Sequence, residues 1–327
     1  MKKTKAKLLK KIHGGQVCQI VSTTARLGLA DLLAEKPLSA EQLAKRLKIE
    51  LGVLSRLLSS LVALHLLEER EGRYHLTDEG HHLAKNDADS LHALAVYKGS
   101  PIVWNAHGKL YEGIKKSLSP FELAFDQDLF SHLGQHEEHC AIFQEAMASY
   151  ERQSSTKILD LYDFNQLPTF LDVGGGLGNF ALTIMDKYPQ TQGAVFDLPS
   201  VIRIAKNDRL NFHAGDFFES VPEGFEAYLL RNILHDWSDL KCVKILKNIR
   251  KACREKAKLL IFETFYDRTH NSRLGKFSDL TMFTLTPGGK ERTLEEITEL
   301  LNESGFCLLN SYQTTSSKSL VEAIPLP

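Results

Sequence analysis

Leu171-Asp172-Val173-Gly174-Gly175-Gly176-Leu177-Gly178-Asn179-Phe180 is the stretch on which the reading of this chain turns. An apolar run enters it and a helical pattern leaves it, so it reads as strand, tight turn and helix start. The glycines let the backbone turn sharply and let a ligand approach main-chain N–H groups at the helix start. The spacing is not the dinucleotide fingerprint G-x-G-x-x-G, because counting from Gly174 the third glycine would fall on Asn179. No G-x-x-x-x-G-K-[ST] phosphate loop is present either. What stands here is D-x-G-x-G-x-G, with an acidic residue, Asp172, just before the turn.

A loop built for pyrophosphate should not set a carboxylate beside the anion. A cofactor carrying a cationic amino group and a sulfonium can use one, and S-adenosylmethionine is such a ligand. A second carboxylate, Asp197, closes the next strand-like run and is placed to accept hydrogen bonds from ribose hydroxyls. Gly215-Asp216-Phe217 follows the third run and offers a carboxylate and an aromatic face for an adenine.

The runs after Pro168 alternate strand and helix: Thr169–Val173, Gly193–Asp197, Leu210–Ala214, Ala227–Ile233 and Lys258–Phe265 as strands. Helical stretches separate the early ones, and Leu240–Cys253 forms a long helix before the fifth. Such alternation predicts an α/β fold with a mostly parallel sheet covered by helices. Cys307–Tyr312 and Ser319–Ile324 are two last strands, joined by a polar turn at 314–318.

Ligands in such sheets bind beyond the carboxyl ends of the strands. Strand four runs into Arg231-Asn232-Ile233-Leu234-His235-Asp236-Trp237, which puts His235 at that end, and Glu263 ends strand five. Glu291 lies in Pro287-Gly288-Gly289-Lys290-Glu291-Arg292-Thr293, before the final helix. Methyl transfer to a hydroxyl needs the acceptor oxygen deprotonated and in line with the methyl group. A neutral imidazole with a pKa near 6.5 can serve as that base for a phenol of pKa about 10. A neighbouring carboxylate would orient the ring. For Glu263 and Glu291 taken singly, an ordinary surface salt bridge is the competing reading.

The first 85 residues have another pattern. Ser39-Ala40-Glu41-Gln42 is a capping-box start of a helix ending near Leu47. Leu54, Leu57, Leu58 and Leu61 mark one face of a second helix, and Glu68 to Leu76 alternates around Glu71-Gly72 as a hairpin. Thr77-Asp78-Glu79 starts another helix. Helix, helix, hairpin over residues 1–85 predicts a winged helix. Residues 51–66 hold one arginine, Arg56, and no lysine. That is too few cations for a recognition helix, so the leucine face is expected to pack against another subunit, with no nucleic-acid partner. Residues 86–167 look helical throughout, with breaks at Gly99-Ser100-Pro101 and Ser119-Pro120. Phe143 and Met147 share a helix face within them.

Composition is ordinary for a soluble globular protein, enzyme or binding protein. The 327 residues are 43% hydrophobic and 25% charged, with a formal net charge of -1, so no global field draws the chain to nucleic acid or anionic membrane. The five cysteines, Cys18, Cys140, Cys242, Cys253 and Cys307, are widely spaced and include no C-x-x-C pair. They fit a reducing compartment rather than a disulfide framework or thiolate zinc site. No apolar run is long enough to span a bilayer, and the lysine-rich N-terminus lacks a signal's apolar stretch. A cytoplasmic location with no membrane partner is the expectation.

In order along the chain, LDVGGGLGNF, FDLPSVI, GDFF, LHDWSD and GGKERT resemble the plant-type small-molecule O-methyltransferases. That family includes caffeate, flavonoid and acetylserotonin methyltransferases and bacterial tailoring enzymes. The resemblance spans nearly the whole chain. It implies a class I methyltransferase domain at 168–327, with a seven-stranded sheet whose last strand is antiparallel. It implies a winged-helix dimerisation domain at 1–85, a helical segment at 86–167 contributing to the acceptor pocket, and a homodimer. By motif position, His235 resembles the general base, flanked by Glu263 and Glu291, with Asp236 orienting the acceptor and no metal. Gly174, Gly176, Gly178, Asp197, Leu198, Asp216 and Phe217 match cofactor positions, to which Asp172 and Arg231 are added, and Trp237 would pack against the cofactor. Phe143, Met147 and Met282 match acceptor-pocket positions. Arg231 stands where plant relatives often carry lysine, and Thr286 replaces an asparagine that faces the acceptor. These departures point away from plant phenylpropanoids toward a bacterial secondary metabolite. Relatives diverted to hydroxylation or decarboxylation, a winged-helix regulator sensing the adenosyl ligand, and a nicotinamide oxidoreductase are the rival readings.

Overall fold

The computed structural model describes residues 2–265, 273–313 and 318–327. Two compact units emerge, one holding the chain up to Trp104 with residues 145–150, the other residues 105–144 and everything from Glu151 onward. The expected helical segment 86–167 is therefore divided between them and is not a unit of its own.

In the first unit, Ser39 and Gln42 form the expected reciprocal capping box at the start of the helix Ala40–Leu47. The next helix, Leu51–Ala63, starts from Glu50, whose carboxylate accepts the N–H groups of Gly52 and Val53. Leu54, Leu58 and Leu61 are fully buried with Leu29, Leu33 and Leu43 in this unit's own core. This corrects the expectation that the leucine face packs on another subunit: a domain this small needs that face to bury a core at all. Strands β1 (Leu67–Arg70) and β2 (Arg73–Leu76) form the antiparallel hairpin. Glu71 (φ 52°) and Gly72 (φ 71°) both lie in the left-handed region, as a two-residue turn matching strand twist requires. Thr77 caps only a single turn, Asp78–His81.

The second unit is built on seven strands: β3 (Thr169–Val173), β4 (Gln192–Asp197), β5 (Asn211–Ala214), β6 (Ala227–Arg231), β7 (Lys258–Thr264), β8 (Phe306–Gln313) and β9 (Lys318–Pro325). Their order is β5-β4-β3-β6-β7-β9-β8. The first five pair in parallel, while β9 runs antiparallel between β7 and β8. Alternate residues pack on opposite faces. Tyr228, Leu230, Leu259 and Ile261 meet Ile245, Leu246 and Ile249 of the helix Asp239–Ala252. Leu229, Leu260 and Phe262 meet Phe180 and Ile184 of the helix Asn179–Lys187. Burial on both faces explains why these strands read as continuous apolar runs.

Some details differ from the sequence reading. Strand β6 stops at Arg231 because Asn232 turns to φ 54°. The crossover after β4 is a four-residue helix, Pro199–Ile202, and residues 215–226, before β6, form no helix. The expected turn at 314–318 falls largely on 314–317, outside the described residues. Among the described residues, no single helix is long and apolar enough to cross a membrane.

The topology sets where a ligand can sit. From β3 the chain moves one way, to β4 and β5, and then returns to place β6 on the other side of β3. The turns after β3 and β6 thus diverge across a crevice at their carboxyl ends.

Candidate active site

At that crevice the glycine turn has no room for side chains. Gly174, Gly176 and Gly178 have φ of 73°, 59° and 81°. A Cβ on Gly174 would lie 2.4 Å from Ile233 Cδ1, and one on Gly178 2.4 Å from Leu210 Cδ1. At Gly176 it would meet the Gln144 carboxamide oxygen at 2.7 Å, so Gln144, which sequence reasoning missed, lies against the loop. Asp172 is turned under the turn and buried, its carboxyl against Gly175.

Asp197, half-buried at the end of β4, is the carboxylate that stays on the ligand side. Its Oδ2 accepts the Gly176 N–H at 2.8 Å and its Oδ1 the Leu198 N–H at 2.7 Å. Burial pushes its pKa up to about 6 despite these two bonds. A charge so poorly compensated suits a ligand bringing hydroxyl donors. Asp216 is exposed and accepts the Phe218 N–H, which turns the chain so that Phe217 comes to lie beside Gly174. Together these residues fit an adenosyl cofactor. Arg231 is buried, its guanidinium 4.3 Å above the Phe180 ring. Trp237 is buried too, stacked on Phe130 at 4.8 Å and edge-on to Phe217 and Phe218. Its indole is thus covered by protein rings, and Phe217 shares that aromatic cluster.

His235 sits on the single 3-10 turn Leu234–Asp236 that follows β6. Three elements hold this turn. Glu263, at the end of β7, accepts with Oε1 the backbone N–H groups of Ile233 (3.1 Å), Leu234 (2.9 Å) and His235 (3.4 Å). Arg292, buried and not foreseen, donates to the carbonyls of Leu234 and Trp237 and to Asp239 Oδ1. The turn at Gly288-Gly289 closes on the His235 carbonyl, which accepts the Lys290 N–H at 2.9 Å. A Cβ on Gly289 would stand 2.4 Å from that carbonyl, which is why this position is glycine.

This closure brings Glu291 to His235. Nδ1 of the imidazole donates to Glu291 Oε1 at 3.2 Å and lies 3.5 Å from Glu263 Oε2. On the other side, Nε2 is 3.7 Å from Asp236 Oδ1. Glu263 and Glu291 are buried, so neither is a surface salt bridge. Burial opposes the charged imidazole, but Glu263, Asp236 and Glu291 together outweigh it and hold its pKa up at about 10. Burial also pushes Asp236 up to about 7, the carboxylates adding to it and His235 opposing. The carboxylates thus favour the charged form of the imidazole.

The acceptor-side residues are less concentrated. Phe143 meets Phe130 edge-to-face at 6.4 Å. Met147 lies four residues on, along the same helix Glu137–Leu159, and belongs to the first unit. Met282 is half-buried on the helix Arg273–Leu285. Thr286 is buried and donates its hydroxyl to the Met282 carbonyl at 2.8 Å. Its oxygen packs against Gly289.

Glycine turn, strand-end carboxylate and buried His–Glu–Glu cluster on a mostly parallel sheet define a methyltransferase of the nucleoside-cofactor type. An O-methyltransferase domain model matches residues 107–307, and an O-methyltransferase dimerisation domain model matches residues 9–86. The chain belongs to the O-methyltransferase family and is an S-adenosylmethionine-dependent enzyme acting on small molecules. It is 33% identical to the phenazine O-methyltransferase PhzM of Lysobacter antibioticus, over 98% of this chain and 96% of that one. An 8-amino-8-demethylriboflavin N,N-dimethyltransferase of Streptomyces davaonensis is 29% identical over 94% and 91%. Among solved structures, human N-acetylserotonin methyltransferase in complex with S-adenosylmethionine superposes with a TM-score of 0.90 and 26% identity, covering 99% of this chain and 98% of that one.

Proposed function

We propose that the enzyme methylates a phenolic or enolic hydroxyl of a small secondary metabolite, with His235 as general base and without a metal. The observation that supports this is the buried cluster around His235, in which Nδ1 contacts Glu291 and Glu263 and Nε2 lies 3.7 Å from Asp236 Oδ1. S-adenosylmethionine supplies the electrophilic methyl group. Asp197 and the glycine turn hold the adenosyl part, with Leu198, Asp216, Phe217 and Arg231 around it. Once His235 has lost its Nε2 proton to solvent, Nε2 can take the proton of the acceptor hydroxyl. Asp236, beside Nε2, helps orient the hydroxyl. Alignment then supplies much of the rate. Phe143 and Met282 line the acceptor side, and two copies associate through the N-terminal domain.

The test is calorimetric titration with S-adenosylhomocysteine, followed by a screen of phenols and aryl amines with S-adenosylmethionine. Wild type binds, Asp197→Ala binds at least tenfold more weakly, and His235→Ala binds normally but loses on the order of 10²–10⁴-fold in turnover. Excess EDTA leaves turnover unchanged. A fully active His235→Ala, or loss of activity with chelator, refutes the mechanism. Turnover confined to amines refutes the hydroxyl acceptor.

A further inference from the structure

Glu291 is held at two points by one helix. Ser278 and Asp279 are neighbours on the helix Arg273–Leu285. Ser278 Oγ donates to Glu291 Oε1 at 2.5 Å, and Asp279 Oδ1 accepts the Glu291 backbone N–H at 3.0 Å. The oxygen that Ser278 contacts is the same one that His235 Nδ1 contacts at 3.2 Å. A carboxylate oxygen has two lone pairs, so hydroxyl and imidazole divide its capacity between them. The hydroxyl contact is the shorter, of the O–H···O⁻ kind that is strong when buried, and the Glu291 side chain is 1% exposed.

We propose that Ser278 is a positioning residue of this site, sharing Glu291 Oε1 with His235 and thereby setting how tightly the imidazole keeps its proton. The direction follows from the geometry. With the hydroxyl present, part of the charge on Oε1 is satisfied, and its pull on the Nδ1 proton is weaker. Without it, a buried carboxylate has lost a strong donor and binds the imidazolium more tightly. The two groups titrate as a coupled set, and the proton leaves that set at higher pH. Other charges facing His235 stay in place: Glu263 Oε2 at 3.5 Å from Nδ1 and Asp236 Oδ1 at 3.7 Å from Nε2. Lys290 and Arg292 line the same recess. Since the base must be neutral to act, Ser278 widens the pH range in which it can act. This rests on His235 being the base of the reaction proposed above.

The experiment is ¹⁵N ring NMR of histidine-labelled protein over pH 7–10, with His235 assigned by the signals lost in His235→Gln. In Ser278→Ala the neutral fraction of His235 at a given pH falls about threefold or more, a displacement of about half a pH unit. Ser278→Thr, which keeps the hydroxyl, restores the wild-type curve. Ser278→Cys, a weak donor of similar size, falls between and serves if Ser278→Ala does not fold. Binding of S-adenosylhomocysteine is unchanged in all three. A neutral fraction that is unmoved or larger in Ser278→Ala overturns the proposal. The readout is independent of turnover. If the curve moves while His235→Ala stays active, the coupling stands and the base assignment falls; the reverse result sinks the coupling alone.

Discussion

His235 and Asp197 show how far a residue's surroundings reset its chemistry. Both are titratable groups at strand ends, and both are displaced upward in pKa, for opposite reasons. His235 is raised to about 10 because three carboxylates outweigh burial, whereas Asp197 is raised to about 6 by burial itself. The second displacement gives a pH dependence. In the free protein Asp197 is protonated below about 6. Bound ribose hydroxyls would favour its ionised form, so binding must expel that proton when the pH is low. Affinity for S-adenosylhomocysteine is therefore flat above about pH 6 and falls as the pH drops below it, approaching tenfold per pH unit. Titrations at pH 5, 6, 7 and 8 check this, and Asp197→Asn should abolish the slope. An affinity that rises on acidification would mean that the carboxylate does not meet the ligand.

Among elements, the short turn carrying His235 depends on others for its shape. It forms a single 3-10 turn, too little to hold itself, and takes its hydrogen bonds from β7, from Arg292 and from the glycine turn before Glu291. Gly289 is the tightest of these contacts. A methyl there would meet the His235 carbonyl at 2.4 Å and the Thr286 hydroxyl oxygen at 2.1 Å, and both are backbone-anchored. Gly289→Ala should destabilise the protein by about 1–3 kcal/mol through overpacking. It should also lower turnover more than it lowers S-adenosylhomocysteine affinity, because Glu291 moves while Asp197 does not. Thermal unfolding and calorimetry on the one variant separate the two effects. Equal loss of turnover and cofactor affinity would count against the turn as the part that positions Glu291.

Across the whole catalytic unit, a second buried ionic cluster ties the antiparallel end of the sheet to the chain before β3. Glu322 on β9 is 3% exposed and meets Lys258 Nζ at 2.7 Å, Asn310 Nδ2 at 2.7 Å and Tyr162 OH at 3.2 Å. Burial alone would raise its pKa, but the lysine and asparagine contacts reverse that and lower it. Lys258→Met leaves this carboxylate buried without its cation, and should cost about 3 kcal/mol. Chemical denaturation measures it, and the loss should shrink on acidification, as the unpaired Glu322 carboxylate in the variant takes up a proton. No change in stability would mean that Lys258 is only a surface charge.

Much of this organisation is written locally in the chain. The capping box at Ser39, the hairpin at Glu71-Gly72, the strand–turn–helix at 171–180 and the apolar runs of β3, β6 and β7 each depend on neighbours a few residues away. Motif order brought His235, Glu263 and Asp197 into view for the same reason, since each ends or follows a strand whose period is legible, and Glu291 through the Gly288-Gly289 turn beside it. What the tertiary structure decided lies at long separation. Whether Leu54, Leu58 and Leu61 serve a domain's own core or another subunit depends on what covers them. That Asp172 turns under the loop, that Arg292 and Ser278 join the His235 cluster, and that Thr286 faces Gly289 follow from packing between elements far apart in the chain. The charge state of His235 is of this kind: an imidazole's intrinsic pKa belongs to the residue, but the three carboxylates that override it come from two strand ends and a distant glycine turn.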